Sequence, residues 1–154
     1  MTTWQSFAAQ APDLAARVRT RFEANKHHVL ATLRRDGSPR VSGTEVSFHG
    51  PDLAIGSMPG ARKARDLQRD GRFAIHTGTG DSSMDGGDAK VAGVAVEVVD
   101  PAAIEAYREP GTPAGPFHLF LLHLTDVTLT SLDGDALAID TWTARDGVRR
   151  VRRR

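Results

Sequence analysis

Apolar and polar positions recur along this chain with two different periods. Between Ala11 and Ala24, Leu14, Val18 and Phe22 stand four residues apart, with Pro12 and Asp13 at the start and arginines toward the end. That spacing stacks side chains on one helical face, and a proline in the first turn removes no hydrogen bond, so an amphipathic helix is expected over about 11–24. After Lys26 the period shortens. HHVLATLR (27–34) reads as a strand, Asp36-Gly37-Ser38-Pro39 as a turn and VSGTEVSFH (41–49) as a second extended run, which makes a hairpin the economical reading. Gly50-Pro51-Asp52 marks another turn, and DLAIGSM (52–58) is a third short strand ending in small residues.

ARKARDLQRD (61–70) places Ala61, Ala64 and Leu67 on one face among basic side chains, and Gly71 supplies a stop, so a short helix is expected there. RFAIHTG (72–78) is a fourth strand, and the polar, glycine-rich stretch from Gly78 to Asp88 reads as a surface loop. AKVAGVAVEVVD (89–100) is a long valine-rich strand that runs into Asp100-Pro101, a cap followed by proline at the first position of a helix reaching about Glu109. HLFLLHLTDVTLTSL (118–132) and ALAIDTWTA (136–144) close the chain around Asp133-Gly134-Asp135. Strands joined mainly by turns cannot be parallel, since each parallel pair needs a crossover. An antiparallel barrel or sandwich of six or seven strands is therefore expected.

Composition narrows the class. A chain of 154 residues, 40% hydrophobic and without cysteine, is expected to form one domain stabilised by packing, with no disulfide or thiolate metal site. No apolar run is long enough to span a bilayer and no signal-peptide layout opens the chain, so a cytoplasmic protein is expected. The net charge of +1 is uneven: residues 145–154 hold six arginines against one aspartate. Such an end reads as a solvated basic tail, a clasp for an acidic cofactor or partner subunit, or a nucleic-acid contact; scarce aromatics argue against a nucleic-acid stacking platform.

Most motifs fall away. Gly78-Thr79-Gly80 lacks the third glycine and the following helix of a dinucleotide fingerprint. The six histidines show no metal-ligand spacing, and Ser57, Ser82 and Ser83 lack the strand-turn-helix setting of a nucleophile. His76, at the end of a strand, reads as a core or surface residue before it reads as a proton donor. The sharpest cluster is Ser57 to Arg65, where GSMPG ends a strand and Arg62-Lys63 opens a helix. Free amides, the positive end of the helix dipole and two cations suit a phosphate, with Arg40 as a further donor from the strand after the first hairpin. On spacing alone a helix with a solvated basic face takes precedence.

ATLRRDGSPRVS, DLAIGS and RKARDLQRDGRFAIHT, in that order, resemble the pyridoxamine 5'-phosphate oxidase-like, FMN-binding split-barrel family over about residues 26–100. The resemblance implies a mainly β, six-stranded antiparallel Greek-key split barrel with short flanking helices. A single domain would span 1–154, the barrel covering about 26–143 and a basic tail 145–154. It implies a homodimer holding FMN between its subunits, with Arg62 and Lys63 on the phosphate and Arg40 near phosphate and ring. Val41 and Ser42, with neighbours to Thr44, and Ile55, Gly56 and Ser57 would line the ring. Glu45 stands where pyridoxamine phosphate oxidases carry lysine, and Gly60 or Ala61 where they carry a phosphate-binding serine. Their C-terminal substrate arginine and histidine are missing too, so vitamin B6 oxidation is not implied. Related short members use the deazaflavin coenzyme F-420. An oxidoreductase passing hydride between either cofactor and a small organic substrate, or a non-catalytic flavin- or haem-binding carrier, is the functional expectation.

Overall fold

A computed structural model describes residues 1–79 and 83–154. Residues 80–82, including Gly80 and Ser82 of the expected surface loop, lie outside the described residues.

Two helices open the chain where one is expected. α1 (Trp4–Gln10) precedes α2 (Pro12–Glu23) because Thr3 caps it, its hydroxyl accepting Ser6 N–H at 3.1 Å, and because Trp4 and Phe7 find a core to bury in. Ala11, with φ −140°, breaks the two apart. β1 (His28–Leu33) and β2 (Pro39–Thr44) form the expected hairpin, with Gly37 at φ 85° in its turn. The run 41–49 is not one strand: it divides after Thr44, and β3 (Ser47–His49) pairs with β4 (Asp52–Ser57). α3 (Arg62–Arg69), β5 (Arg72–His76), β6 (Asp88–Val98) and α4 (Pro101–Ala106) follow. β7 (His118–Asp133), β8 (Ala136–Thr143) and β9 (Gly147–Arg153) complete the chain.

The strands form one antiparallel sheet in the order β2-β1-β5-β6-β7-β4-β3. After β4 the chain crosses through α3 and returns at β5 beside β1, so the first three expected strands are not a simple meander. The 16-residue β7 serves two neighbours on one edge: its first half pairs with β4 and its second with β8. β2 and β4 approach one another without a hydrogen-bonded ladder, and the sheet is an unclosed split barrel with short flanking helices. Thr125, skipped between the Ala92–Asp126 and Gly93–Leu124 pairs, makes a bulge in β7 opposite β6. A Cβ on Gly93 would lie 1.8 Å from the His123 carbonyl oxygen, so only glycine admits that approach.

Leu30, Leu53, Ile55, Ile75, Val91, Phe120, Leu122 and Leu129 fill the interior, and α1 and α2 cover one end of it. Phe7 packs on Trp142 of β8 with ring centroids 4.8 Å apart, and Trp4 on Phe48 at the same separation.

Residues 147–153 are not a free tail. They form β9, paired along β8. Arg150 grips the buried Asp140 in a fork of 2.7 and 2.8 Å, Arg17 reaches the same carboxylate at 3.2 Å, and Arg152 pairs with Asp133 at 3.0 Å. The acidic partners sit on the preceding strands β8 and β7, so a run of arginines read alone could not show them. Among the described residues no helix is long and apolar enough to cross a membrane.

Candidate functional site

Helical periodicity places Arg62, Arg65, Asp66 and Arg69 along one stripe of α3. The stripe faces the β1–β2 hairpin, and the two surfaces enclose an open cleft of about 460 Å³ lined by Arg34, Arg35, Asp36, Arg40, Arg62, Arg65, Asp66 and Arg69. Six guanidinium groups against two carboxylates make this an anion-attracting site.

Asp66 organises it. The carboxylate is 3% exposed, and its Oδ2 accepts Thr32 Oγ1 at 2.8 Å and Arg40 Nε at 2.7 Å, while Oδ1 accepts Arg69 Nη2 at 3.0 Å. Burial works to raise the carboxyl, but the bonds from Arg40, Thr32 and Arg69 outweigh it and hold Asp66 below the ordinary aspartate range. Arg40 is thereby oriented through Nε, leaving its terminal nitrogens for a ligand. Among the described residues Arg35, Arg62 and Arg65 have no carboxylate partner, and Arg34 acts on Asp36 through its charge alone.

The entrance to α3 adds backbone donors. Met58-Pro59-Gly60-Ala61 is a turn closed by Ala61 N–H to Met58 O at 3.1 Å, with Gly60 at φ 73°. Ala61 supplies no side-chain cap, so the first amides of α3 keep no side-chain acceptor. Lys63 turns from the stripe toward β2, donating Nζ to Gly43 O at 2.8 Å. Burial draws its ammonium below the ordinary lysine range, and Glu45 pulls the other way.

The expected site residues divide. Arg40 and Arg62 meet in the cleft, and Lys63 lies beside β2 at the helix start. Val41 is 71% exposed on the outward face of β2, and Ser42 is half-buried on the opposite face. On β4, Ile55 is a core residue and Ser57 is buried, so what this strand offers to the surface is Gly56. Sequence reasoning missed Asp66, Arg65 and Arg69, although their helical spacing from Arg62 was a readable signal. It also missed Arg34 and Arg35, which only the fold brings to α3.

The model of the pyridoxamine 5'-phosphate oxidase family matches residues 14–131, most of the chain. The chain belongs to the pyridoxamine 5'-phosphate oxidase-like family. Solved structures share its fold at low identity. A pyridoxamine 5'-phosphate oxidase-related, FMN-binding protein from Nostoc punctiforme is 14% identical, with a TM-score of 0.65 over 94% of this chain and 96% of that one. PhzG from Burkholderia lata 383, solved with tetrahydrophenazine-1-carboxylic acid, is 15% identical, with a TM-score of 0.62 over 93% and 89% of the two chains. A heme binding protein from Mycobacterium smegmatis is 17% identical, with a TM-score of 0.54 over 90% and 87%. No curated protein matches the chain in sequence. These neighbours of the same fold thus include one FMN-binding and one heme-binding protein.

Proposed function

We propose that the chain is a flavin-dependent oxidoreductase that holds the phosphate of FMN at the start of α3 and admits a small organic substrate beside the ring. The observation that carries this reading is the meeting of Arg62 and the Asp66-oriented Arg40 in one arginine-lined cleft, with the uncapped start of α3 and Lys63, bonded to Gly43 O of β2, beside it. These groups fit a phosphate dianion: amides and a helix dipole point at it, guanidinium forks bind it in pairs, and lysine adds a point charge. A bound flavin supplies hydride transfer; the chain supplies placement. Arg40 is fixed by Asp66 before any ligand arrives, so little side-chain entropy is lost on binding. Val41 and Gly43 on β2 and Gly56 on β4 offer a low-relief edge on which a planar ring can rest.

A homodimer belongs to the proposal. Val29, Val41, Val94 and Val96 are exposed on the outward face of the β2-β1-β5-β6 sheet, and exposed apolar area of this kind is covered in stable proteins by a partner. Cytoplasmic residence follows from the same expectations as before, and nucleic acid is not a partner in this reading.

One observation favours coenzyme F-420 as a second reading. Arg34, Arg35 and Arg65 line the same cleft and exceed what a single phosphate requires, which leaves cations for an acidic tail. The heme-binding neighbour keeps a non-catalytic carrier as the alternative class. Native mass spectrometry with an absorbance spectrum of freshly purified protein decides among them. A dimer carrying one FMN per chain and flavin bands supports the proposal; a Soret band, or a monomer that binds neither FMN nor F-420, overturns it.

A further inference from the structure

Beneath the turn that leads into α3 lies a group that the anion cleft does not use. His118 opens β7 directly across from Ser57, the last residue of β4. Its Nε2 accepts Gly60 N–H at 3.1 Å, and its Nδ1 stands 2.7 Å from Glu97 Oε1 on β6. The other oxygen of Glu97 accepts Gln68 Nε2 of α3 at 2.9 Å. An imidazole nitrogen that accepts a backbone N–H carries no proton, so Nδ1 holds the hydrogen and donates it to Glu97, and the ring is neutral in a single tautomer. One carboxylate on the sheet therefore ties down both ends of one segment: the Pro59-Gly60 turn through His118, and the second half of α3 through Gln68. His118 and Glu97 are 19% and 23% exposed, so bulk water competes only partly for these bonds.

We infer that His118 is a positioning residue for the cleft: as a neutral imidazole it holds Gly60 so that the first amides of α3 face the anion, and on taking a proton it lets go. An imidazolium presents N–H at both nitrogens, which sets a donor against the Gly60 donor and cancels that bond. The charged group in contact with it is Glu97 from β6; Arg65 on α3 stands one bond further away, on Gln68 at 3.4 Å, and Arg108 after α4 stacks 5.0 Å over the ring of the preceding Phe117. The inference rests on the flavin reading only in its effect on cofactor; the tether itself belongs to the free chain.

The test follows the Gly60 amide by NMR in cofactor-free protein, and FMN dissociation constants by fluorescence, across roughly pH 8 to 5, the range in which histidine changes charge. Wild type, His118→Gln and His118→Ala are compared. Glutamine keeps an acceptor for Gly60 and cannot be protonated, whereas alanine removes it. The expected result is that Gly60 shifts and loses exchange protection, corrected for intrinsic rates, in acid and in His118→Ala but not in His118→Gln. FMN affinity is expected to fall about five- to tenfold in His118→Ala at pH 8, in keeping with one lost hydrogen bond. His118→Gln should track only the pH dependence of the FMN phosphate itself, and wild type should fall more steeply. A Gly60 amide indifferent to pH and to His118→Ala overturns the tether. A Gly60 that responds while FMN affinity does not overturns its positioning role. If wild type binds neither FMN nor F-420, the flavin reading fails by itself, and the Gly60 signal still decides the tether.

Discussion

Replacing Asp66 by asparagine is the perturbation with the clearest physical outcome. The carboxylate accepts three bonds, from Thr32 at 2.8 Å, Arg40 at 2.7 Å and Arg69 at 3.0 Å, in a setting where its side chain is 4% exposed. Asparagine keeps one oxygen but turns an amide N–H toward a guanidinium, leaving partly buried cations without a counter-charge. Breaking a buried pair in this way costs about 3–5 kcal/mol, and the partial exposure of Arg40 and Arg69 brings the expectation to about 2–4 kcal/mol. For a domain of this size that is a fall in Tm of roughly 6–12 °C. The pH dependence has a definite sign. The folded-state carboxyl is held below its ordinary value, so its stabilisation is present above the unfolded value of about 3.9 and is lost as pH falls through the lower folded value. Urea unfolding of wild type and Asp66→Asn at neutral pH and in steps down to about pH 3 should therefore show two curves that converge in acid. A companion Arg40→Met and the double variant measure the coupling. A difference under about 0.5 kcal/mol at neutral pH, or a gap that widens on acidification, would refute the assignment of Asp66 as the organiser of the cleft.

Further outcomes follow from other parts of the molecule. Arg62→Glu with Lys63→Glu should weaken FMN binding on the order of 100-fold in a fluorescence titration, while Arg19→Glu on α2 leaves it unchanged; equal affinities would remove the phosphate site from α3. Gly93→Ala should cost about 3 kcal/mol or more, because the new Cβ meets the His123 carbonyl, and a thermal melt within a degree or two of wild type would contradict the bulge. Ending the chain after Asp146 should lower stability by about 2 kcal/mol and promote aggregation, since Asp140 loses its Arg150 fork and β8 becomes an open edge; sedimentation and melting curves would report it.

Period and turn chemistry in the sequence were enough to set the types of most elements, though not of α1, β3 or β9. The four-residue spacing of Leu14, Val18 and Phe22 produces α2, the Asp36-Gly37 turn produces the first hairpin, and Asp100-Pro101 starts α4, because each depends on contacts a few residues long. The family resemblance and the basic start of α3 were legible for the same reason: Arg62, Lys63 and the turn before them are local. Tertiary structure decided whatever joins distant residues. It paired β5 with β1 across the crossover and gave β7 two neighbours. It turned an arginine run into β9 by meeting Arg150 and Arg152 with Asp140 and Asp133. It brought Arg40 to Asp66 and His118 to Gly60 over separations of 26 and 58 residues, and Arg34 and Arg35 to the cleft beside α3. Local sequence carries no information on such meetings, because their energy is realised only after the sheet has closed the intervening loops and removed the carboxylates from water.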